Sequence, residues 1–309
     1  MKLYYYYLKV LTIFIFILLS STSINARTIL KEETELQCSN TINGDVEYYA
    51  VLIGISEFED IDTLPEDKLD DDAIIMHETL INSKNWKEEN ILLLTNEEGT
   101  KEAIRNSIIE WLDSREDEND VVLYYFSGHS IKMPLKNKKF GNTYSFPYDI
   151  SDTNFSEDKI TDKELDSWID ELESDNICLI FDSCYSGKMR HLVQKGRIIL
   201  AAGGKHFFCG VDESDALGYG IFTFFVMQGL KGVADLNKDG WITAEECFRY
   251  ARIPTIISSF YVQFPFLQEW NGQTIFWTFQ VPTMYDRYLG NFPILEYKIS
   301  EWILLNKMS

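Results

Sequence analysis

Cys184 and His129 are the two side chains of this sequence best placed to react together. Cys184 lies in Leu179-Ile-Phe-Asp-Ser-Cys-Tyr-Ser-Gly187, directly after an apolar run and before a glycine. His129 lies in Val121-Val-Leu-Tyr-Tyr-Phe-Ser-Gly-His-Ser130, the same layout with an imidazole in place of the thiol. Each thus follows a buried strand, at the point where the chain turns into a loop. In a parallel α/β sheet such strand ends open on one crevice. A cysteine and a histidine meeting there make a nucleophile and its general base. The Cys184 backbone N–H, at a strand tip, is also placed to hold the oxyanion of a tetrahedral intermediate.

The other candidates fit less well. His77 falls on a helix, His191 in a basic loop and His206 beside Phe207, and none follows a strand with a small-residue turn. Cys178 falls inside an apolar strand and reads as a small core residue. Cys38 lies near the N-terminus, where it could be bridged; with Cys209 and Cys247 the count is five, and an odd count in a secreted chain suggests a free thiol. No CxxC or Cys/His spacing suits zinc.

The elements that must position the pair can be read from hydrophobic periodicity. Strands are expected at 48–55, 91–94, 121–126, 177–181 and 197–202. Between them fall a helix over Asp72–Asn82 with Ala73, Met76 and Leu80 on one face, and a second opened by Thr100. A third begins at the capping box Thr161-Asp-Lys-Glu164, and a fourth spans 222–230. Residues 56–71 read as an acidic loop and 132–142 as an exposed basic loop. Strands alternating with amphipathic helices give an α/β fold, a mainly parallel sheet covered on both faces.

Composition narrows the class. The chain has 309 residues, is 45% hydrophobic and has a formal net charge of −21. That is ample for a core, and the negative surface argues against a nucleic-acid partner. The N-terminus, with Lys2 and Lys9 around Tyr4–Tyr7, an apolar block from Val10 to Leu19 and then small polar residues, fits a secretory signal peptide over residues 1–26. The block is too short to leave a stable membrane span after cleavage. The expected location is secreted, periplasmic or luminal. A polar leader over 27–46, one domain over 47–280 and a C-terminal tail over 281–309 complete the division.

These motifs resemble the caspase-fold cysteine peptidases, closer to metacaspases and their prokaryotic relatives than to animal caspases. The resemblance rests on the His129 and Cys184 segments, on Ala50-Val-Leu-Ile-Gly-Ile55, and on Asp71-Asp-Ala73 opening a helix, with Phe222-Thr and Gln263-Phe-Pro265 as weaker matches. The histidine of caspases precedes the cysteine by about 50 residues, as here. The resemblance implies a three-layer α/β/α sandwich with a mainly parallel six-stranded sheet. It implies a cysteine endopeptidase acting on proteins or peptides, with a pocket of Asp72, Ser127 and Asp182 that takes Arg or Lys before the scissile bond. A carboxylate pair suits a guanidinium; Asp72 alone could equally be a helix N-terminal charge. It further implies an oxyanion hole from the N–H groups of Ser130 and Cys184. The family usually has glycine at the position of Ser130, and serine tolerates positive φ poorly, so strain is expected there. An impaired caspase-fold interaction module and an Asp-specific caspase-like protease are the alternatives; no arginine stands at a family position to bind a substrate aspartate.

The chemistry requires no cofactor. One further motif, Asp235-Leu-Asn-Lys-Asp-Gly-Trp-Ile-Thr-Ala-Glu-Glu246, fits the EF-hand loop in full. Asp235, Asn237, Asp239 and Glu246 would offer side-chain oxygens to Ca²⁺ and Trp241 its carbonyl. The same residues could instead form an acidic turn that caps a helix.

Overall fold

The computed structural model describes residues 46–61, 68–133, 142–151, 153–203, 213–214, 218–263, 269–270, 273–274 and 280–297. The signal-peptide and leader readings, with Cys38, His206 and Cys209, lie outside the described residues. Five apolar segments form parallel strands: β1 (Tyr48–Gly54), β2 (Ile91–Thr95), β3 (Val121–Ser127), and, after the hairpin strands β4 (Ser130–Met133) and β5 (Asn142–Ser145) and the short β6 (Ile160–Thr161), β7 (Ile177–Asp182) and β8 (Arg197–Ala201). Later in the chain come β9 (Trp241–Thr243), β10 (Thr283–Asp286) and β11 (Pro293–Glu296). The main sheet runs β10-β8-β7-β3-β1-β2, with only β10 antiparallel.

The strands β1, β3, β7 and β8 are buried along their whole length, because alternate residues enter clusters on opposite faces. Along β1, Ala50 and Leu52 enter one apolar cluster while Val51 and Ile53 enter the other. The first cluster is closed by α1 (Leu69–Ile81), through Ala73, Met76 and Leu80, together with Phe222 and Val226 and with Cys247 and Phe248. The second is closed by α2 (Lys101–Asn106), which continues as a wider turn to Leu112, and by α3 (Asp162–Ile169). Two further helices follow later in the chain, α4 (Ile221–Gln228) and α5 (Ala244–Gln263). This is the expected three-layer α/β/α sandwich with a mainly parallel six-stranded sheet.

The local signals act as expected at two helix starts. The Thr100 hydroxyl accepts from Ala103 N at 3.1 Å. Thr161 and Glu164 cap each other reciprocally, at 3.0 and 2.9 Å. Elsewhere the structure departs from expectation. Helix α1 begins at Leu69, three residues before the expected Asp72, because Leu69 is itself buried against the sheet. Its start sits so close to the end of β1 that a Cβ on Gly54 would lie 2.7 Å from the Asp70 Cα; only glycine admits that approach. The ends of the stretch read as a basic loop, Lys132–Met133 and Asn142, belong to the paired strands β4 and β5, and residues 134–141 lie outside the described residues. The domain also runs past the boundary at 280. Its sixth strand, β10, is an edge strand without an apolar run, and it falls in the segment read as a tail.

Candidate active site

β3 and β7 pair in parallel with Ser127 opposite Asp182, and the ladder runs one step further as Gly128 N donates to the Asp182 carbonyl at 3.3 Å. His129 and Cys184 each lie two residues beyond that last pair. Neighbouring strands in matched register therefore deliver both to the carboxyl edge of the sheet. That edge lies beside the switch point between β1 and β3, where the chain order reverses and α/β sheets hold ligands.

His129 stacks at a tilt on Phe58, with ring centroids 5.8 Å apart. Its carbonyl accepts from Phe146 N at 3.0 Å, which ties the histidine to the chain leaving β5. Burial lowers its pKa to about 4, so the ring is neutral near pH 7 and available as a base. Cys184 is half-buried and not in a disulfide.

The turn after Cys184 is held from three sides. Gly203 N, at the tip of β8, donates to the buried Ser186 hydroxyl at 2.9 Å. Tyr285 of β10 donates to the Gly187 carbonyl at 2.7 Å. The Thr143 hydroxyl of β5 donates to the Tyr185 carbonyl at 3.5 Å. Tyr185 itself is left-handed, with φ 57° and ψ 8°. The strain expected at Ser130 is therefore elsewhere. Ser130 begins β4 opposite Ser145 and is not among the positive-φ residues. A hairpin strand fixes its backbone, and the next residue after the cysteine, rather than after the histidine, takes the costly conformation.

Asp72, Ser127 and Asp182 are fully buried and converge. Ser127 Oγ donates to Asp72 Oδ2 at 2.7 Å, and Gly220 N donates to Asp72 Oδ1 at 2.9 Å. Asp182 Oδ2 accepts from Thr223 N at 2.9 Å and from Thr223 Oγ1 at 2.8 Å. A Cβ on Gly220 would lie 2.6 Å from Asp182 Oδ2 and 2.7 Å from Asp72 Oδ2. Both carboxylates thus pack against the Gly220 backbone too closely for any side chain at that position. Asp182 Oδ1 is buried without a hydrogen-bond partner. Burial raises the Asp182 pKa to about 6 against the lowering effect of the Thr223 bonds. Thr223 enters the sequence reading only through the weak Phe222-Thr match, and Gly220 carries no sequence signal of its own.

The 235–246 loop is organised differently. Asp235 Oδ1 accepts from Lys238 N at 2.6 Å, and Oδ2 accepts from Gly240 N at 3.1 Å and from Tyr297 Oη at 2.5 Å. Asn237 Oδ1 and Asp239 Oδ1 accept from backbone N–H groups two residues on, and Glu246 caps Thr243. Trp241 opens β9, which pairs with β11. Among the described residues no three His, Cys, Asp or Glu side chains converge as metal ligands. The side chains of Asp235, Asn237, Asp239 and Glu246 thus accept hydrogen bonds from the turn itself and, at Asp235, from Tyr297.

Residues 49–193 match the family described as "Metacaspase, peptidase C14 domain", a span that includes Asp72, Ser127, His129, Asp182 and Cys184. The match relates the chain to the caspase-fold cysteine peptidases. The fold is similar to the crystal structure of a protein from Geobacter sulfurreducens, with a TM-score of 0.54 at 10% identity, covering 82% of this chain and 98% of that one. No curated protein matches the sequence.

Proposed function

We propose that this metacaspase-type peptidase domain is an active cysteine endopeptidase that cuts proteins after Arg or Lys through Cys184 and His129. The observation that supports the specificity is the buried convergence of Asp72 and Asp182 beside the Gly220 backbone, with Asp182 Oδ1 lacking a hydrogen-bond partner. Two buried carboxylates without a cation are costly, and a guanidinium or ammonium bound between them offsets that cost.

In the proposed reaction the neutral His129 ring takes the proton from the Cys184 thiol. The thiolate sulfur attacks the peptide carbonyl carbon, and the N–H groups of Ser130 and Cys184 receive the developing oxyanion. His129 then passes its proton to the departing amine, leaving a thioester on Cys184. Water, activated by His129, hydrolyses the thioester and returns the thiol. No step needs a metal. On the reading of residues 1–26, the enzyme acts outside the cytoplasm.

Calcium at the 235–246 loop belongs to the proposal on its sequence pattern alone. Coordination there would pin the turn before α5, so its effect is mainly on stability.

The test is a panel of fluorogenic peptides ending in Arg, Lys, Asp or Leu. Cleavage of the Arg and Lys members, abolished in Cys184→Ala, is the expected result. Preferred cleavage after Asp or Leu by the wild type would overturn the acidic-pocket reading.

A further inference from the structure

Two lysines follow the two proposed catalytic residues. Lys132 is the third residue after His129 and stands in β4 opposite Thr143, whose hydroxyl donates to the carbonyl of Tyr185. Lys188 ends the short turn after Cys184, with its Nζ 4.8 Å from the centroid of the Tyr185 ring. The hairpin strand that carries Lys132 thus lies against the turn that carries Lys188. Partial burial, and after it the charge of Lys132, lower the Lys188 pKa. Among the described residues neither lysine forms an ion pair with a carboxylate.

That is unusual in a chain with 49 acidic residues and a net charge of −21. Two like charges at close range repel, and any nearby Asp or Glu would relieve them. An unneutralised cationic pair beside a reaction centre is suited to an anion from outside.

The placement indicates which anion. Asp72, Thr223 and Gly220 belong to α1, α4 and the chain entering α4, on the face of the sheet closed by Met76 and Phe222. Lys188 leads into Met189 and Leu192, which belong to the cluster on the other face. Cys184 lies between them at the sheet edge. An extended substrate with its basic side chain held at Asp72 and Asp182 continues past Cys184 toward the lysines. We propose that Lys132 and Lys188 form a subsite for a carboxylate side chain, Asp or Glu, among the substrate residues that follow the scissile bond. The inference rests on the peptidase reading above and extends it to the other side of the cleaved bond.

Internally quenched peptides test it, each with Arg before the bond and Asp, Ala or Lys placed in turn at the positions after it. The readout is the ratio of kcat/KM for the Asp peptide to that for the Ala peptide. Expected is a ratio of about fivefold at the best position at low salt, shrinking as ionic strength rises. Lys132→Gln/Lys188→Gln should bring the ratio to unity, and Lys132→Glu/Lys188→Glu should turn the preference toward Lys. Melting curves verify that each variant is folded. An equal ratio in wild type and in the charge-reversed variant overturns the subsite. An Arg-coumarin amide, which has no residue after the bond, separates the two readings. If the wild type cuts it but shows no acidic preference, the subsite alone fails. If the wild type cuts neither it nor the Arg peptides, the peptidase reading fails and the subsite with it.

Discussion

Tyr285 and Gly187 are 98 residues apart, yet the phenol of the first donates a 2.7 Å hydrogen bond to the carbonyl of the second. The antiparallel edge strand thus reaches across β8 to the turn that follows Cys184, the proposed nucleophile. Tyr285→Phe removes one hydroxyl and leaves the ring. The expected cost is about 1 kcal/mol of stability. A fall in kcat with little change in KM would accompany it, because the turn presenting Cys184 is loosened while the acidic pocket is untouched. If kcat keeps its wild-type value, the tie has no part in positioning the thiol.

Cys184→Ala and His129→Ala should each remove peptidase activity while leaving the cooperative melt in place. Both side chains sit at the tip of the ladder and neither fills the apolar clusters. Turnover near wild type in either variant would rule out the dyad.

Asp182 sets a pH dependence of a defined sign. Its pKa is raised to about 6 in the fold, above the ordinary aspartate value. The folded protein therefore holds a proton that the unfolded chain releases, and stability falls as pH rises from about 4 to about 6, then levels off. The loss is on the order of 2–3 kcal/mol. Asp182→Asn should raise the melting temperature at pH 7 more than at pH 4, and should raise KM for Arg substrates. kcat/KM of the wild type on Arg substrates should climb through pH 6, while His129, with its pKa lowered to about 4, is already neutral there. A variant that melts lower than wild type at pH 7 would show that Asp182 stabilises the fold as a charge.

Ser130 and Tyr185 should respond oppositely to relaxation of the backbone. Ser130→Gly weakens a strand that needs no unusual φ, at a cost of about 0.5–1 kcal/mol. Tyr185→Asn places a residue tolerant of the left-handed region at φ 57° and should hold or raise stability despite the lost ring. Measured by denaturant titration, a larger loss in Tyr185→Asn than in Ser130→Gly would mean that the tyrosine ring outweighs its backbone strain.

Thermal melting with EDTA and with graded Ca²⁺ tests the 235–246 loop. A rise is expected only at millimolar Ca²⁺, because backbone and Tyr297 donors already occupy Asp235, and Glu246→Gln should remove it. A shift at micromolar Ca²⁺ would point to a preformed site, and none at any concentration would dismiss the ion.

Much of this was legible in the sequence, for identifiable reasons. The five parallel strands are buried on both faces, so each is an apolar run with a glycine or small polar residue at its end. The helix starts at Thr100 and Thr161 are local events between residues three apart. The His129 and Cys184 settings follow from the same strand-end logic. What escaped notice depends on distant partners. Thr283–Asp286 is a strand only because β8 offers it an edge. Gly220 and Thr223 matter only because α4 begins beside Asp182. The left-handed Tyr185 has no signature of its own, since nothing in its residue type asks for positive φ.

The edge strand also fixes an order of events during synthesis. Every other strand of the main sheet, and both proposed catalytic residues, leave the ribosome before Thr283. Until Tyr285 emerges and docks, β8 has an open edge and the turn after Cys184 lacks one of its anchors. The turn after Cys184 thus gains its Tyr285 anchor only after every other strand of the main sheet has been made.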